Sequence, residues 1–307
     1  MVMSFCFLIA VAVPTGIAVG AVDAVFGRVL LYLGAVRDAH TAWFLPFLGL
    51  IGALMAWAYK RYVAGCENGM GMVFEAGHAE REAIPLRLVP FVICATWLTH
   101  LFGGSAGREG VAVQLAAAPE WSAELALELT ALGIVFGLTG AAFAFCLKRA
   151  KKLAQNRLKN PVLRALVMGV ALSAVLYLLY RGRYCGLGTN LINASLAGEP
   201  IYAWDWALKL ALTVLTLSAG FQGGEVTPLF SIGASLGAAL AGHLGLPAAF
   251  CAALGYAAVF GSATNTLLAP ALIGAEAFSW AAAPHFFAVC ALAYAVNGGR
   301  SIYSGQK

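Results

Sequence analysis

The chain has 307 residues, 61% of them hydrophobic and only 11% charged, with a mean hydropathy of +0.83; soluble domains carry about 25% charged residues, so a soluble fold is excluded and a polytopic membrane protein is expected. The formal net charge of +5 comes from basic residues scattered between apolar segments, which make no continuous face for nucleic acid and fit orientation on a lipid bilayer instead. Seven cysteines, an odd number without a CxxC pair, argue against a disulfide framework or a zinc site. Cys6, Cys94, Cys146, Cys251 and Cys290 read as small buried apolar residues, and no metal or cofactor is expected.

Residues 1–33 lack the charged start of a secretory signal peptide and read as a retained membrane helix, with Pro14 and Gly16 marking a kink or break. Asp23 and Arg28 are expected at an interface rather than on a pathway. Residues 43–59 form a second span between Trp43 and Lys60-Arg61, the usual aromatic and cationic anchors. The stretch 65–72, with Asn68, Gly69 and Met70, is too polar and glycine-rich to span; it reads either as a loop opening a short helix whose N–H groups suit an anion or as an interfacial turn. Residues 78–82 are a charged solvated turn, and 84–101 are a span with His100 as a packing or interfacial residue.

The stretch 102–114 then places Gly103, Gly104, Gly107, Arg108, Glu109 and Gly110 between apolar runs. Irregular backbone at membrane depth is tolerated only where protein buries it or a water-filled cavity borders it, and an ionisable residue there is a functional candidate; the competing reading is a re-entrant structural turn whose arginine and glutamate simply pair. Residues 116–121 make a short linker. Residues 123–147 form a long helix with glycines at 133, 137 and 140, ending in the strongest basic loop, 148–159, which the positive-inside rule assigns to the cytoplasm. Residues 161–180 span back, 186–190 begin a glycine-rich re-entry, and 204–217 are apolar again.

That run leads into Gly223-Gly224-Glu225-Val226-Thr227-Pro228, the counterpart of the earlier polar stretch, followed by a small-residue helix over 231–241. Setting Gly107 opposite Gly224 puts Arg108 opposite Glu225 and Gly110 opposite Thr227. Two interrupted apolar segments at corresponding places in two halves are the best sequence pointer to a transporter site. Two helix N-termini aimed at one point would concentrate positive potential there and favour an anion.

Gly107-Arg108-Glu109-Gly110 resembles the GREGP motif of the CLC chloride channels and anion/proton antiporters. The second-half stretch 223–228 resembles the family's GxFxP element, and residues 255–266, 274–278 and 301–306 resemble its last helices, ending at a central tyrosine, here Tyr303. Asn68-Gly69-Met70 in place of GSGIP, and Glu225-Val226-Thr227-Pro228 in place of a phenylalanine-bearing element, resemble the fluoride/proton antiporter branch. The resemblance implies an all-α inverted repeat of tilted, broken and re-entrant helices in one transmembrane domain, 1–307. The first-half repeat is 1–118; 123–303 hold the remaining helices with the second-half repeat.

Glu109 would be the gate and proton carrier. Met70, Gly107, Gly110, Val226, Thr227 and Tyr303 would surround the anion, with Asn68 and Glu225 on the proton or anion pathway. Arg108 and Glu276 are expected to be structural. The implied partners are fluoride or chloride, protons and the lipid of a bacterial plasma membrane. The family has a further pair of membrane segments after the GREG helix, but here Gln114 is followed almost at once by Pro119-Glu120-Trp121. The first repeat is therefore incomplete, and because those segments help form the family's homodimer interface, dimerisation stays open. Chloride selectivity and a non-transporting remnant remain alternatives. An intramembrane hydrolase using Ser105 or a histidine is disfavoured, since HExxH, GxSxG and paired membrane aspartates are all missing from the sequence; the chain is not expected to be an enzyme.

Overall fold

The computed structural model describes residues 2–62, 88–104 and 119–303, with side chains from residue 20 onward except 23 and 88. Among the described residues there is no β-strand, and eleven helices of nine residues or more make the fold: α1 (Val2–Ala39), α2 (Leu48–Tyr62), α3 (Leu88–Leu101), α4 (Ala123–Arg157), α5 (Pro161–Leu178), α6 (Thr189–Ala197), α7 (Asp205–Ala219), α8 (Val226–Leu244), α9 (Ala248–Thr264), α10 (Leu268–Ala277) and α11 (Ala283–Asn297). Among the described residues searched, five stretches are long and apolar enough to cross a bilayer: Thr41–Tyr62, Ala123–Arg157, Pro161–Leu178, Val226–Leu244 and Trp280–Asn297. Some helices are much shorter. The nine residues of α6 rise only about 14 Å at 1.5 Å per residue, less than half of the roughly 30 Å hydrocarbon core. Short helices at that depth are the broken and re-entrant elements expected from the glycine punctuation.

Two boundaries differ from the sequence expectation. Pro14 does not break the first helix, which runs on to Ala39; proline is tolerated in membrane helices because neighbours re-satisfy the freed backbone groups. The basic run after residue 147 is no loop, since α4 continues through Lys148, Arg149, Lys151 and Lys152 to Arg157. Lysine and arginine are good helix formers, and a helix leaving the bilayer has no reason to stop at the charge boundary. Cys94, expected to be buried, is exposed on the outer face of α3.

Glycine sets how closely the helices meet. Gly233 and Gly237, spaced as a GxxxG pair on α8, press against the backbone of Gly255 and Cys251 on α9, where a Cβ would collide with the opposing carbonyl groups. Small residues of this kind allow van der Waals packing to drive association in lipid. Gly133 and Gly137 of α4 lie against Leu292 and Ala293 of α11, and Gly140 against Ser262 of α9, whose Oγ donates to the Gly137 carbonyl at 2.7 Å. The apolar interior has two parts. The larger joins α4, α8, α9, α10 and α11, with Phe136, Phe230, Phe250 and Phe286 fully buried. The smaller joins α2, α3 and α5 with the turn after α5.

Trp121, just past the short linker, stacks on His285 of α11 with ring centroids 4.6 Å apart and planes 12° apart. Ser122 then caps α4, its Oγ accepting the Leu125 N–H at 3.0 Å. The chain therefore passes from the linker into α4 anchored on both sides.

Candidate functional site

The described part of the site is built where α7 stops and α8 starts. Gly220 takes φ +98°, a left-handed conformation that only glycine adopts readily, and so closes α7. The next residue, Phe221, is buried, and its ring occupies the space that side chains would need at Gly52 of α2 and Gly169 of α5. The loop is thus pinned into the smaller core, and α8 begins at a fixed point inside the protein. Pro228 sits in the first turn of α8, where its missing N–H costs nothing.

Four predicted residues come together here. Glu225 is the half-buried residue that precedes α8, Val226 opens the helix, and Thr227 follows, 1% exposed. Their backbone N–H groups are among those a helix start leaves without an intrahelical partner. Thr227 Oγ1 is buried without a hydrogen-bond partner among the described residues. Tyr303 arrives from the far end of the chain, with its side chain within hydrogen-bonding reach of Glu225. Its approach is fixed by the segment before it: Ile302 N–H donates to the Ala263 carbonyl at 2.9 Å, Ser301 Oγ to the Thr264 carbonyl at 3.2 Å, and Asn297 Nδ2 to the Arg300 carbonyl at 2.6 Å.

Asn68, Met70, Gly107, Arg108, Glu109 and Gly110 lie outside the described residues. The chain leading to the last four is anchored: Gly104, at the end of the described stretch, accepts the Gly186 N–H on its carbonyl at 3.1 Å. Gly186 belongs to the turn between α5 and α6, so the first-half polar stretch departs from beside a second-half turn. Glu276, expected to cap or pair, is exposed and pairs with no described residue. His100 is buried, as a packing residue should be; its ring Nδ1 is 2.7 Å from the Thr96 carbonyl.

Reading the sequence as uniformly apolar over 204–217 missed Lys209. Its side chain is fully buried, and Nζ donates to the carbonyls of Gly186 at 2.7 Å and Tyr184 at 3.1 Å. A lysine inside an apolar run was the signal. Nearby, Asp205 is fully buried and receives Arg183 Nε at 3.2 Å, Arg183 Nη2 at 2.6 Å, Tyr184 Oη at 2.7 Å and the Tyr202 N–H at 3.0 Å. Burial, then the Asp205 carboxylate, raise the Tyr184 hydroxyl above its ordinary value, so it remains a donor.

Two cavities have basic walls. One, about 580 Å³, is bordered by Arg37, Arg181, Arg183 and Gly188, with Asp38 held by Arg37 at 2.6 Å. The other, about 560 Å³, is bordered by Lys148, Arg149, Lys152 and Arg300 and by Ser301, two residues before Tyr303. Positive walls of this kind raise the local concentration of anions.

This helical architecture, with an interrupted second-half element starting inside the protein, is the arrangement expected of an anion-transport fold. The sequence pattern described as "Voltage gated chloride channel" matches residues 51–120 and 118–298, and the chain belongs to that family, the CLC proteins, as an integral multi-pass membrane protein. A solved structure described as a CLC-type fluoride/proton antiporter is 37% identical and superposes with a TM-score of 0.97 over 100% of this chain and 99% of that one. A slow cyanobacterial Cl-/H+ antiporter shares the fold at 16% identity, with a TM-score of 0.76 over 96% of this chain and 95% of that one. The "Chloride/fluoride channel protein" of Pseudomonas syringae pv. tomato is 29% identical over 97% of this chain and 86% of its own length. That alignment runs over 392 positions, 85 more than the 307 residues here, and the family match divides at 118–120. An internal block carried by the relative is therefore absent from this chain, at the short linker before α4.

Proposed function

We propose that this protein exports fluoride in exchange for protons, across a bacterial plasma membrane with the 148–159 end in the cytoplasm. The observation that carries the reading is Thr227: a hydroxyl buried without a partner among the described residues at the first turn of α8, where free N–H groups and the helix dipole favour an anion. Fluoride is small and a strong hydrogen-bond acceptor, and it matches a site of hydroxyl and amide donors. The fluoride/proton antiporter at 37% identity supports the same choice.

In this reading Met70, Gly107, Gly110, Val226, Thr227 and Tyr303 surround the ion, and Asn68 and Glu225 border its route. Glu109 is the gate. Two influences on its carboxyl oppose each other: loss of water disfavours the charged form, while helix N-termini and cations favour it. As a carboxylate it competes for the anion position; once protonated it leaves and admits the halide. Each exchange therefore carries a proton against an anion.

The test is fluoride efflux and pH recorded together in proteoliposomes. Wild type is expected to release fluoride and acquire protons, and Glu109→Gln to lose proton movement. Undiminished proton movement in Glu109→Gln would overturn the gate assignment. Because the Pseudomonas relative is described for both halides, the same assay with chloride decides selectivity, and preference for chloride would replace the fluoride reading.

A further inference from the structure

Membrane orientation accounts for the number of cations at the basic end of α4 and just beyond it. It does not account for how they divide. Lys148, Arg149 and Lys152 border one cavity of about 560 Å³, and Arg300, which follows α11 near the other end of the chain, borders it too. Lys151, Arg157 and Lys159 do not.

The same wall is also apolar. Phe145 and Leu153 border the cavity on either side of the cations along α4, and both side chains are exposed. Positions 145, 149, 152 and 153 are spaced by threes and fours, so these residues form one stripe of the helix, about 12 Å long from Phe145 to Leu153. Arg149 lies over the Phe145 ring, 5.6 Å from its centroid, which holds the guanidinium at the apolar boundary. Arg300 is held in turn, its Nη1 donating to the Asn297 carbonyl at 3.2 Å. Among the described residues no carboxylate borders the cavity, so four positive charges meet there without an acidic wall.

The stripe crosses the point at which α4 changes from apolar to basic. A free inorganic anion would use the cations alone and leave Phe145 and Leu153 in water. A phospholipid uses both, with phosphate on the cations and acyl chain along the exposed apolar side chains. Basic pockets between helices at the membrane surface suit headgroups with more than one phosphate, and four cations exceed the charge of a single phosphodiester.

We propose that this cavity binds the headgroup of an anionic membrane lipid, diphosphatidylglycerol in preference to others, with its phosphates among Lys148, Arg149, Lys152 and Arg300. The site is independent of which ion the protein carries. Ser301 also borders the cavity and accepts the Tyr303 N–H on its Oγ at 3.1 Å, so the bound lipid rests on the segment that carries Tyr303.

The experiment is native mass spectrometry of the full-length chain in neutral detergent, titrated with diphosphatidylglycerol, with phosphatidylcholine or with sodium phosphate. Wild type should retain diphosphatidylglycerol and neither of the others at equal concentration. Arg300→Gln should weaken that binding about fivefold and Lys148→Gln/Arg149→Gln/Lys152→Gln about a hundredfold, the scale of one and of three surface cations. Lys151→Gln/Arg157→Gln/Lys159→Gln removes the same charge outside the cavity and should bind as wild type does. Glutamine is a good helix former, so the melting midpoint without lipid should be shared by all. Equal losses in the two triple variants would reduce the effect to diffuse surface charge and overturn the proposal. Inorganic phosphate retained as well as the lipid would overturn it too, as would wild type that does not distinguish diphosphatidylglycerol from phosphatidylcholine. These last two comparisons need no variant to fold.

Discussion

In the proposed reading Thr227 concentrates the chemistry of the site in one atom. An unpaired buried hydroxyl costs about 1–3 kcal/mol, a cost that an anion held at Thr227 would offset. Thr227→Val keeps the shape and removes the donor. Fluoride turnover should fall roughly tenfold or more, while the thermal midpoint in detergent should hold or rise; a variant that transports normally would remove Thr227 from the pathway. Thr227, Glu225 and Tyr303 were legible in the sequence because each belongs to a motif whose order along the chain matches a family pattern. Lys209 was overlooked: a lysine in an apolar run is a signal in itself, but the carbonyls of 184 and 186 that receive it appear only once the turn is seen against α7.

At the scale of elements, the pair α8 and α9 holds the second-half site in place. The first turn of α8 can present its N–H groups at one point only if the rest of the helix is fixed, and Gly233 and Gly237 fix it by direct backbone contact with α9. Gly237→Leu drives a side chain into the Cys251 carbonyl and should destabilise the protein by about 3 kcal/mol, seen as a lowered melting midpoint and loss of a monodisperse peak on size exclusion. An unchanged elution and melt would mean that the helices are free to part. Glycine spacing made close packing foreseeable. Where each helix ends was less so: hydropathy falls at residue 148, but the hydrogen-bonded ladder of α4 continues to Arg157, because helix propensity and membrane burial are independent properties.

For the whole molecule, the proposed sidedness can be tested at the two ends of α5. A cysteine placed at exposed Lys159, in a background without the native cysteines, should react with an impermeant thiol reagent only from the cytoplasmic side, and one at exposed Glu199 only from the other; labelling of both from one side would invert or abolish the proposed topology. The second-half interruption could be read from the sequence, and so could the absence of a block near residue 119. How the chain closes over that absence could not, because the stacking of Trp121 on His285 joins residues 164 positions apart. Lys209 finally bears on how the protein enters the membrane during synthesis. A lysine in an inserting helix costs up to about 2.5–3.5 kcal/mol on the translocon scale, the figure for the helix centre; Lys209 is the fifth of the 15 residues of α7, which have little length with which to offset it. The carbonyls that solvate the ammonium belong to residues 184 and 186, which leave the ribosome first. α7 is therefore suited to partition into lipid together with the turn before it, as one unit, rather than as a helix recognised alone.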